Sequence, residues 1–213
     1  MTRQVGEPNR WKRALAKIPA SGYVAPVLFL ACAFWVPRFF TVGNLENVAK
    51  NFSVLAIAAC GQMLVLVLGG IEFSFGASAA LASVIVVMAV TDLGIPIAFA
   101  LGGLTVVLVG AINGFFVSVL GLSAFIATLG MLILLTGLAS TLAGGLPMEA
   151  APTAEFLWMA RGEVLGVPNP IWMAGLCLLI LHLLLRHARF GRLLHLVGSN
   201  RTAAVASGTA AGW

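Results

Sequence analysis

The sequence predicts an all-α, polytopic membrane protein, a helical bundle with about six membrane-spanning helices. Of its 213 residues, 61% are hydrophobic and only 9% are charged, whereas a soluble domain carries about 25% charged residues. The mean hydropathy of +1.06 agrees with this class. The apolar residues also fall into six separate runs. Because backbone groups in lipid must pair within their own segment, such runs favour helices.

The apolar runs define three regions of the chain. Residues 1–20 are polar and basic and form a predicted cytoplasmic N-terminal segment, residues 21–185 form the transmembrane region, and residues 186–213 form a cytoplasmic tail. The predicted spans are residues 22–36, 52–70, 74–90, 95–119, 122–143 and 170–185. The second run alone would extend about 28 Å as a helix, close to the thickness of the hydrocarbon core.

The first span admits a second interpretation. A basic segment followed by an apolar run also describes a cleaved signal peptide, and Ala-Cys-Ala at residues 31–33 resembles a cleavage site. The same apolar character recurs in five later runs, so a span that is retained is favoured.

The distribution of basic residues predicts the orientation. With the N-terminus in the cytoplasm and six spans, nine of the twelve Lys and Arg residues fall on the cytoplasmic side and three fall outside. This is the bias that the positive-inside rule requires. The N-terminus is therefore predicted to be cytoplasmic.

The longest connection between spans, residues 144–169, is then predicted to lie outside. It contains three prolines, which argue against one long helix. It also contains an apolar patch at residues 156–159, Phe-Leu-Trp-Met. Two interpretations of this patch stay open: an aromatic anchor at the lipid interface, or a docking or gating loop.

No residue pattern indicates catalysis, a metal site or a cofactor bound by this chain. The three cysteines form no Cys-x-x-Cys pair, and the three histidines near the sixth span match no metal-ligand spacing. No P-loop sequence occurs, so any ATP that drives this protein binds a partner subunit. Basic residues at cytoplasmic helix ends explain the net charge of +5 without a nucleic-acid partner.

Four polar residues in or between the spans are candidates for a translocation path or a helix interface: Gln62, Glu72, Asn113 and Thr128. Polar groups at membrane depth need a partner in the bundle or a wet cavity. Glu72 follows two glycines between the second and third spans. It is interpreted either as a cap on the positive N-terminal end of the third helix or as a brace between helices that move.

The cytoplasmic tail contains a predicted short helix. Asn200 is suited to cap its N-terminus, and Gly208 is suited to end it, because glycine tolerates the left-handed conformation. Ala203, Ala204 and Ser207 share one face by helical spacing. Such a face of small residues fits the groove of a partner, although an ordinary loop helix has the same pattern.

The chain resembles the membrane permease subunits of ribose-type sugar ABC importers, on three blocks of residues. Residues 69–76, GGIEFSFG, are similar to the family's GGIDLSVG, with Glu72 in place of the usual Asp. Asn113-Gly114 and residues 125–130, FIATLG, are similar to its NG and FIVTLG motifs. Residues 190–192 and 198–208 are similar to its FGR and GxNxxAAxxSG motifs. The resemblance covers about residues 20–208.

The resemblance implies a multi-pass permease in a bacterial inner membrane that imports a monosaccharide such as ribose, xylose or a related sugar. It implies three protein partners: an ABC ATPase subunit that holds the ATP, a periplasmic sugar-binding protein, and a second permease copy in a homodimer. It also implies that one tail segment couples the ATPase to the spans. Its residues are Gly198, Asn200, Ala203, Ala204, Ser207 and Gly208.

One departure from the family leaves two alternatives open. Family members continue with further spans, whereas residues 209–213, TAAGW, do not follow the family pattern. The sequence therefore also fits a truncated permease remnant without transport activity. A self-contained secondary transporter is a further alternative, although it would carry paired ionisable residues in its spans.

Overall fold

The computed structural model describes residues 21–148, 154–206 and 208. It confirms the all-α membrane class: long apolar helices account for most of the described residues, with one minimal strand pair. The chain divides into two compact units, Met1–Ala49 and Lys50–Trp213. The predicted N-terminal segment, residues 1–20, lies outside the described residues.

In the first unit, helix α1 covers Ser21–Trp35, as predicted for the first span. Its 15 residues extend about 22 Å, less than the hydrocarbon core. The turn that follows is held by an edge-on contact between Phe29 and Phe39, with ring centroids 5.3 Å apart. Asn44 Nδ2 donates to the Phe39 carbonyl oxygen at 2.8 Å. These contacts direct the chain into the next helix.

Helix α2 covers Val42–Val67 and begins ten residues before the predicted second span. Residues 42–51 include Asn44, Glu46 and Lys50, whose polarity ends the apolar run without ending the helix. The C-terminus behaves as the two glycines predict. Gly69 has φ +80° and donates its N–H to the Leu66 carbonyl oxygen, which closes the last turn.

Helix α3, Phe75–Ser118, is a helical hairpin rather than one rod. A straight helix of 44 residues would be about 66 Å long, twice the hydrocarbon core. Gly94 breaks it with φ 76° and ψ 166°. A Cβ on Gly102 would be 2.6 Å from Val86 Cγ2, so the arms 75–93 and 95–118 pack antiparallel. The predicted break between the third and fourth spans therefore lies at Gly94.

Helix α4, Ala124–Leu142, completes a three-layer core with the two arms of α3. The buried core residues are Ala77, Leu81, Val109, Met131, Leu135 and Ala139. Most other large apolar side chains of these helices are exposed, Ile133 by 70% and Leu134 by 62%. A soluble protein does not expose contiguous apolar surface on this scale, so these faces suit lipid or partner helices.

The connection after α4 is folded, as the prolines predict, into short elements. Helix α5 covers Ala154–Arg161, and strands β1, Glu163–Val164, and β2, Val167–Pro168, pair antiparallel. Asn169 Nδ2 donates to the Trp158 carbonyl oxygen at 2.7 Å, which ties α5 to the start of the next helix. The strand pair was not predicted, because two-residue strands leave no periodic pattern.

Three helices end the described chain: α6, Asn169–His187, α7, Arg189–Ser199, and α8, Arg201–Ala206. Helix α6 agrees with the sixth predicted span, whereas α7 was not predicted. In all, α2, α3, α4 and α6 are long and apolar enough to cross a membrane. Counting α1 and both arms of α3, the predicted runs correspond to six apolar helical segments. The number of crossings and the cytoplasmic N-terminus stay predictions.

Candidate functional site

The segment between α2 and α3 is held by the carboxylate of Glu72. Glu72 Oε1 accepts hydrogen bonds from the backbone N–H of Ser74, at 2.7 Å, and from the Ser74 hydroxyl. Ser74 is the N-cap residue of α3 and is 1% exposed. The carboxylate therefore lies at the positive end of the α3 dipole. Whether Glu72 acts as a cap or as a brace between moving helices stays a prediction.

Asn113, on the second arm of α3, reaches the same point from the other side of the hairpin. Its Nδ2 donates to Ser74 Oγ at 2.9 Å and to Glu72 Oε2 at 3.4 Å. The side chain is buried, and Oδ1 has no hydrogen-bond partner among the described residues. Because both neighbours of Nδ2 are acceptors, the amide orientation is determined by its contacts.

Thr128, on α4, holds the segment just before Ser74. Its Oγ1 donates to the Ala124 carbonyl oxygen at 2.8 Å and approaches the Ile71 carbonyl oxygen at 3.4 Å. The same oxygen accepts from the Phe73 N–H at 3.3 Å. Edge-on packing of Phe73 on Phe125, with centroids 5.4 Å apart, supports the contact. Helix α4 is thereby connected to a segment that has no helical hydrogen bonds of its own.

The structure thus brings together three of the four predicted polar candidates. Glu72, Ser74, Asn113 and Thr128 form one group, which we call the Glu72 cluster. Ser74 was missed by the sequence reasoning, although its position two residues after Glu72 is a signal for a local cap. Gln62 lies apart from this group on α2 and is half-buried.

An open cleft of about 210 Å³ adjoins the Glu72 cluster between the two arms of α3. Apart from members of the cluster, its walls are mainly small or apolar, with Ala79, Val106 and Gly110 beside the hydroxyl of Ser78. Such a surface can receive a helix or a small uncharged molecule. No group of His, Cys, Asp or Glu suited to a metal ion occurs in the part of the chain that the structure describes.

Helix α7 is packed closely against the membrane helices. Gly191 and Leu194 are its buried residues, and a Cβ on Gly191 would overlap the backbone of Leu185. At the other end, a Cβ on Gly198 would overlap the carbonyl group of Val67, the last residue of α2. Glycine at both positions therefore permits direct backbone contact between α7 and the ends of α6 and α2.

Helix α8 begins directly after Asn200, and its described residues end at Ala206, two positions before Gly208. Asn200 Oδ1 accepts from the Ala203 N–H at 3.0 Å, which is an N-cap, and Gly208 has φ +80°. The residues of the predicted small-residue face differ in exposure, however. Ala204 is fully buried, whereas Ala203 is exposed. Ser207 lies outside the described residues.

Comparison with known proteins identifies the family. A family model described as the permease component of a branched-chain amino acid transport system matches residues 44–213. The chain is 36% identical over 180 residues to the ribose import permease protein RbsC of Escherichia coli (strain K12), covering 81% of this chain and 55% of that protein. It is 34% identical over 187 residues to the L-arabinose transport system permease protein AraH of the same strain, covering 87% and 56%.

A relative from another bacterium agrees: the chain is 32% identical over 184 residues to the ribose import permease protein RbsC of Bacillus subtilis (strain 168), covering 85% of this chain and 57% of that protein. The chain spans about half the length of the curated relatives it matches. No solved structure matches it significantly. Because the family model covers most of the chain and these relatives are sugar permeases, the chain belongs to this family of transport permease components, among its ribose-type sugar permeases.

Proposed function

We propose that this chain acts as the membrane-spanning permease subunit of an ATP-driven importer for a monosaccharide such as ribose, xylose or a related sugar. The names of its relatives, ribose import permease and L-arabinose transport system permease, support the substrate class. The chain itself binds no cofactor, and a separate ABC ATPase subunit hydrolyses the ATP. The complex lies in the inner membrane of a bacterium, with the chain crossing it several times.

The match to sugar permeases is the observation that carries this proposal, and the contact of Gly198 with Val67 offers a route for coupling. An ATPase that moves α8 must transmit the displacement to the spans, and close-packed backbones transmit displacement better than flexible side chains do. Gly198 joins α7 to the end of α2, and Gly191 joins α7 to the end of α6. Ala203 is an exposed small residue of α8 that an ATPase groove can contact.

The mechanism that follows is alternating access between two global states. ATP acts on α7 and α8 from the cytoplasmic side, and a periplasmic protein loaded with sugar acts from the outer side. Each ligand shifts the equilibrium only by its difference in affinity for the two states. A second copy of the permease completes the path. In this scheme the Glu72 cluster keeps the α3 hairpin and α4 together while α2 moves.

The proposal is tested in proteoliposomes that contain this permease, an ABC ATPase subunit and a periplasmic sugar-binding protein. We expect sugar uptake that requires ATP. We expect Ala203→Arg to reduce sugar-stimulated ATP hydrolysis at least tenfold, because a long charged side chain replaces a small exposed contact. Ala203→Ser, which keeps the size small, is the matched control and leaves the stimulation within twofold.

Three results would contradict the proposal. If Ala203→Arg and Ala203→Ser showed the same sugar-stimulated ATP hydrolysis, α8 would be excluded as the coupling helix. Uptake that continues without ATP and collapses with the ion gradient would identify a secondary transporter. Correct assembly in the membrane with no uptake of any monosaccharide would favour a permease remnant.

A further inference from the structure

A second cleft, of about 330 Å³, lies where α2, α6 and α7 meet. One wall is apolar and consists of Met63 from α2 with Leu178, Leu181 and Leu185 from α6. The opposite rim carries three groups that bind anions. These are His182 and Arg186 from α6, and His195 from α7. The cleft is distinct from the Glu72 cluster and its neighbouring cleft, with which it shares no residue.

No carboxylate among the described residues pairs with the basic rim of this cleft. The side chains of His182, Arg186 and His195 are exposed and make no hydrogen bond or ion pair with another described residue. No Asp or Glu occurs in the sequence after Glu163, so neither α6 nor α7 contains a carboxylate. The guanidinium of Arg186 alone offers five donors in a geometry that matches phosphate oxygens.

The rim lies at the C-terminal end of a helix long and apolar enough to cross a membrane. Helix α6 extends about 28 Å, close to the hydrocarbon thickness, and His182 and Arg186 lie in its last two turns. Helix α7 follows with Arg189 and Arg192 among exposed Phe and Leu residues and with Leu194 buried. An amphipathic helix of this composition lies in the plane of a membrane interface. When α6 crosses a bilayer, the apolar wall of the cleft is at the depth of acyl chains and its rim at the depth of headgroups.

We propose that this cleft binds an anionic phospholipid, whose phosphate contacts Arg186, His195 and His182 and whose acyl chain lies along Leu178 and Leu181. Charge complementarity selects the occupant: Arg186 supplies a positive charge, His182 and His195 beside it can donate hydrogen bonds, and anionic lipids are abundant ligands at the end of a membrane-spanning helix. A soluble phosphate would leave the apolar wall empty. The lipid would hold α6, α7 and α2 together at the point where Gly198 meets Val67.

Native mass spectrometry of the purified chain in detergent tests this proposal without any measurement of transport. The probe is dioleoyl phosphatidylglycerol, compared with the zwitterionic dioleoyl phosphatidylcholine. We expect phosphatidylglycerol to bind at least tenfold more tightly. Arg186→Gln weakens its binding about fivefold, the effect of one basic residue near an anionic surface, and Arg186→Lys retains most of it.

The matched control is Arg189→Gln, which removes the same charge three residues away at a side chain outside the cleft. We expect this variant to keep its affinity for phosphatidylglycerol within twofold of that of the unchanged protein. If Arg186→Gln fails to fold, His195→Gln on the exposed side of α7 is measured in its place. The proposal would be overturned if the two lipids bound with equal affinity. It would also be overturned if Arg186→Gln and Arg189→Gln lost the same amount of affinity for phosphatidylglycerol. The proposal would also be overturned if another segment of the protein filled the cleft and thereby prevented phosphatidylglycerol from binding.

Discussion

Gly198 and Val67 are in backbone contact: the carbonyl group at the end of α2 occupies the space that a side chain at position 198 would need. Both residues belong to elements that end at this point, α7 at Ser199 and α2 at Val67. Because a backbone carbonyl is displaced less easily than a flexible side chain, any side chain at position 198 would force the ends of the two elements apart. The contact therefore links the C-terminal end of α7 to the C-terminal end of α2 at one point.

Replacement of Gly198 by alanine tests this contact. The added methyl group must push α7 away from α2, at a cost of about 1–3 kcal/mol for overpacking. We expect a lower thermal unfolding midpoint in detergent and weaker ATPase stimulation in the assembled importer. Gly175→Ala on α6 is the control, because a Cβ there meets no atom within 4 Å. Equal stability of the two variants would show that α7 is free to shift.

Asn113→Asp tests the polar contact across the α3 hairpin. The new carboxylate oxygen replaces a donor that lies 3.4 Å from Glu72 Oε2 and 2.9 Å from Ser74 Oγ, so it creates repulsion between like charges. We expect the free energy of unfolding to fall by about 1–3 kcal/mol, the cost of a buried polar group left without its partner. Reversible unfolding in sodium dodecyl sulfate measures this change in the free energy of unfolding.

A double-mutant cycle with Glu72→Gln separates repulsion from lost packing. Glu72→Gln removes the negative charge that faces the new aspartate, so it should restore part of the stability lost in Asn113→Asp. Strictly additive effects would mean that residues 72 and 113 do not interact.

Thr128→Val tests the hold of α4 on the segment before α3. Valine keeps the shape of threonine but removes the oxygen that accepts from the Phe73 N–H. We expect a loss of about 1–3 kcal/mol in the free energy of unfolding, because this N–H is left without an acceptor. Thr136→Val on the same helix removes only a local bond to the Leu132 carbonyl oxygen and should cost much less. A similar loss in both variants would exclude a specific role for Thr128.

Gly102→Ala tests the close approach of the two arms of α3. A Cβ at this position would be 2.6 Å from Val86 Cγ2, whereas a Cβ on the adjacent Gly103 meets nothing within 4 Å. We expect Gly102→Ala to be destabilised by about 1–3 kcal/mol. Gly103→Ala should be neutral or stabilised, since alanine is favoured over glycine inside a helix. The reverse order of thermal midpoints would contradict the hairpin packing.

The sequence by itself determined the class of protein and the local signals along the chain. Composition alone requires a lipid environment, since so few charged residues cannot cover a water-exposed surface. The break near Gly94, the turn at Gly69 and the cap at Asn200 depend on single residues and their neighbours. Local chemistry of this kind is readable without knowing which helices meet. The beginning of α2 was predicted too late, because its first turns are helical but polar.

Only the tertiary structure decided which of these elements meet. The contact of Asn113 with Ser74, separated by 39 residues, requires the hairpin to close. The division between buried Ala204 and exposed Ala203 depends on what packs against α8. Helix α7 owes its position to backbone contacts at Gly191 and Gly198, where the absence of a side chain matters. Periodicity shows which face of a helix is apolar, but shape complementarity between distant segments selects the neighbour.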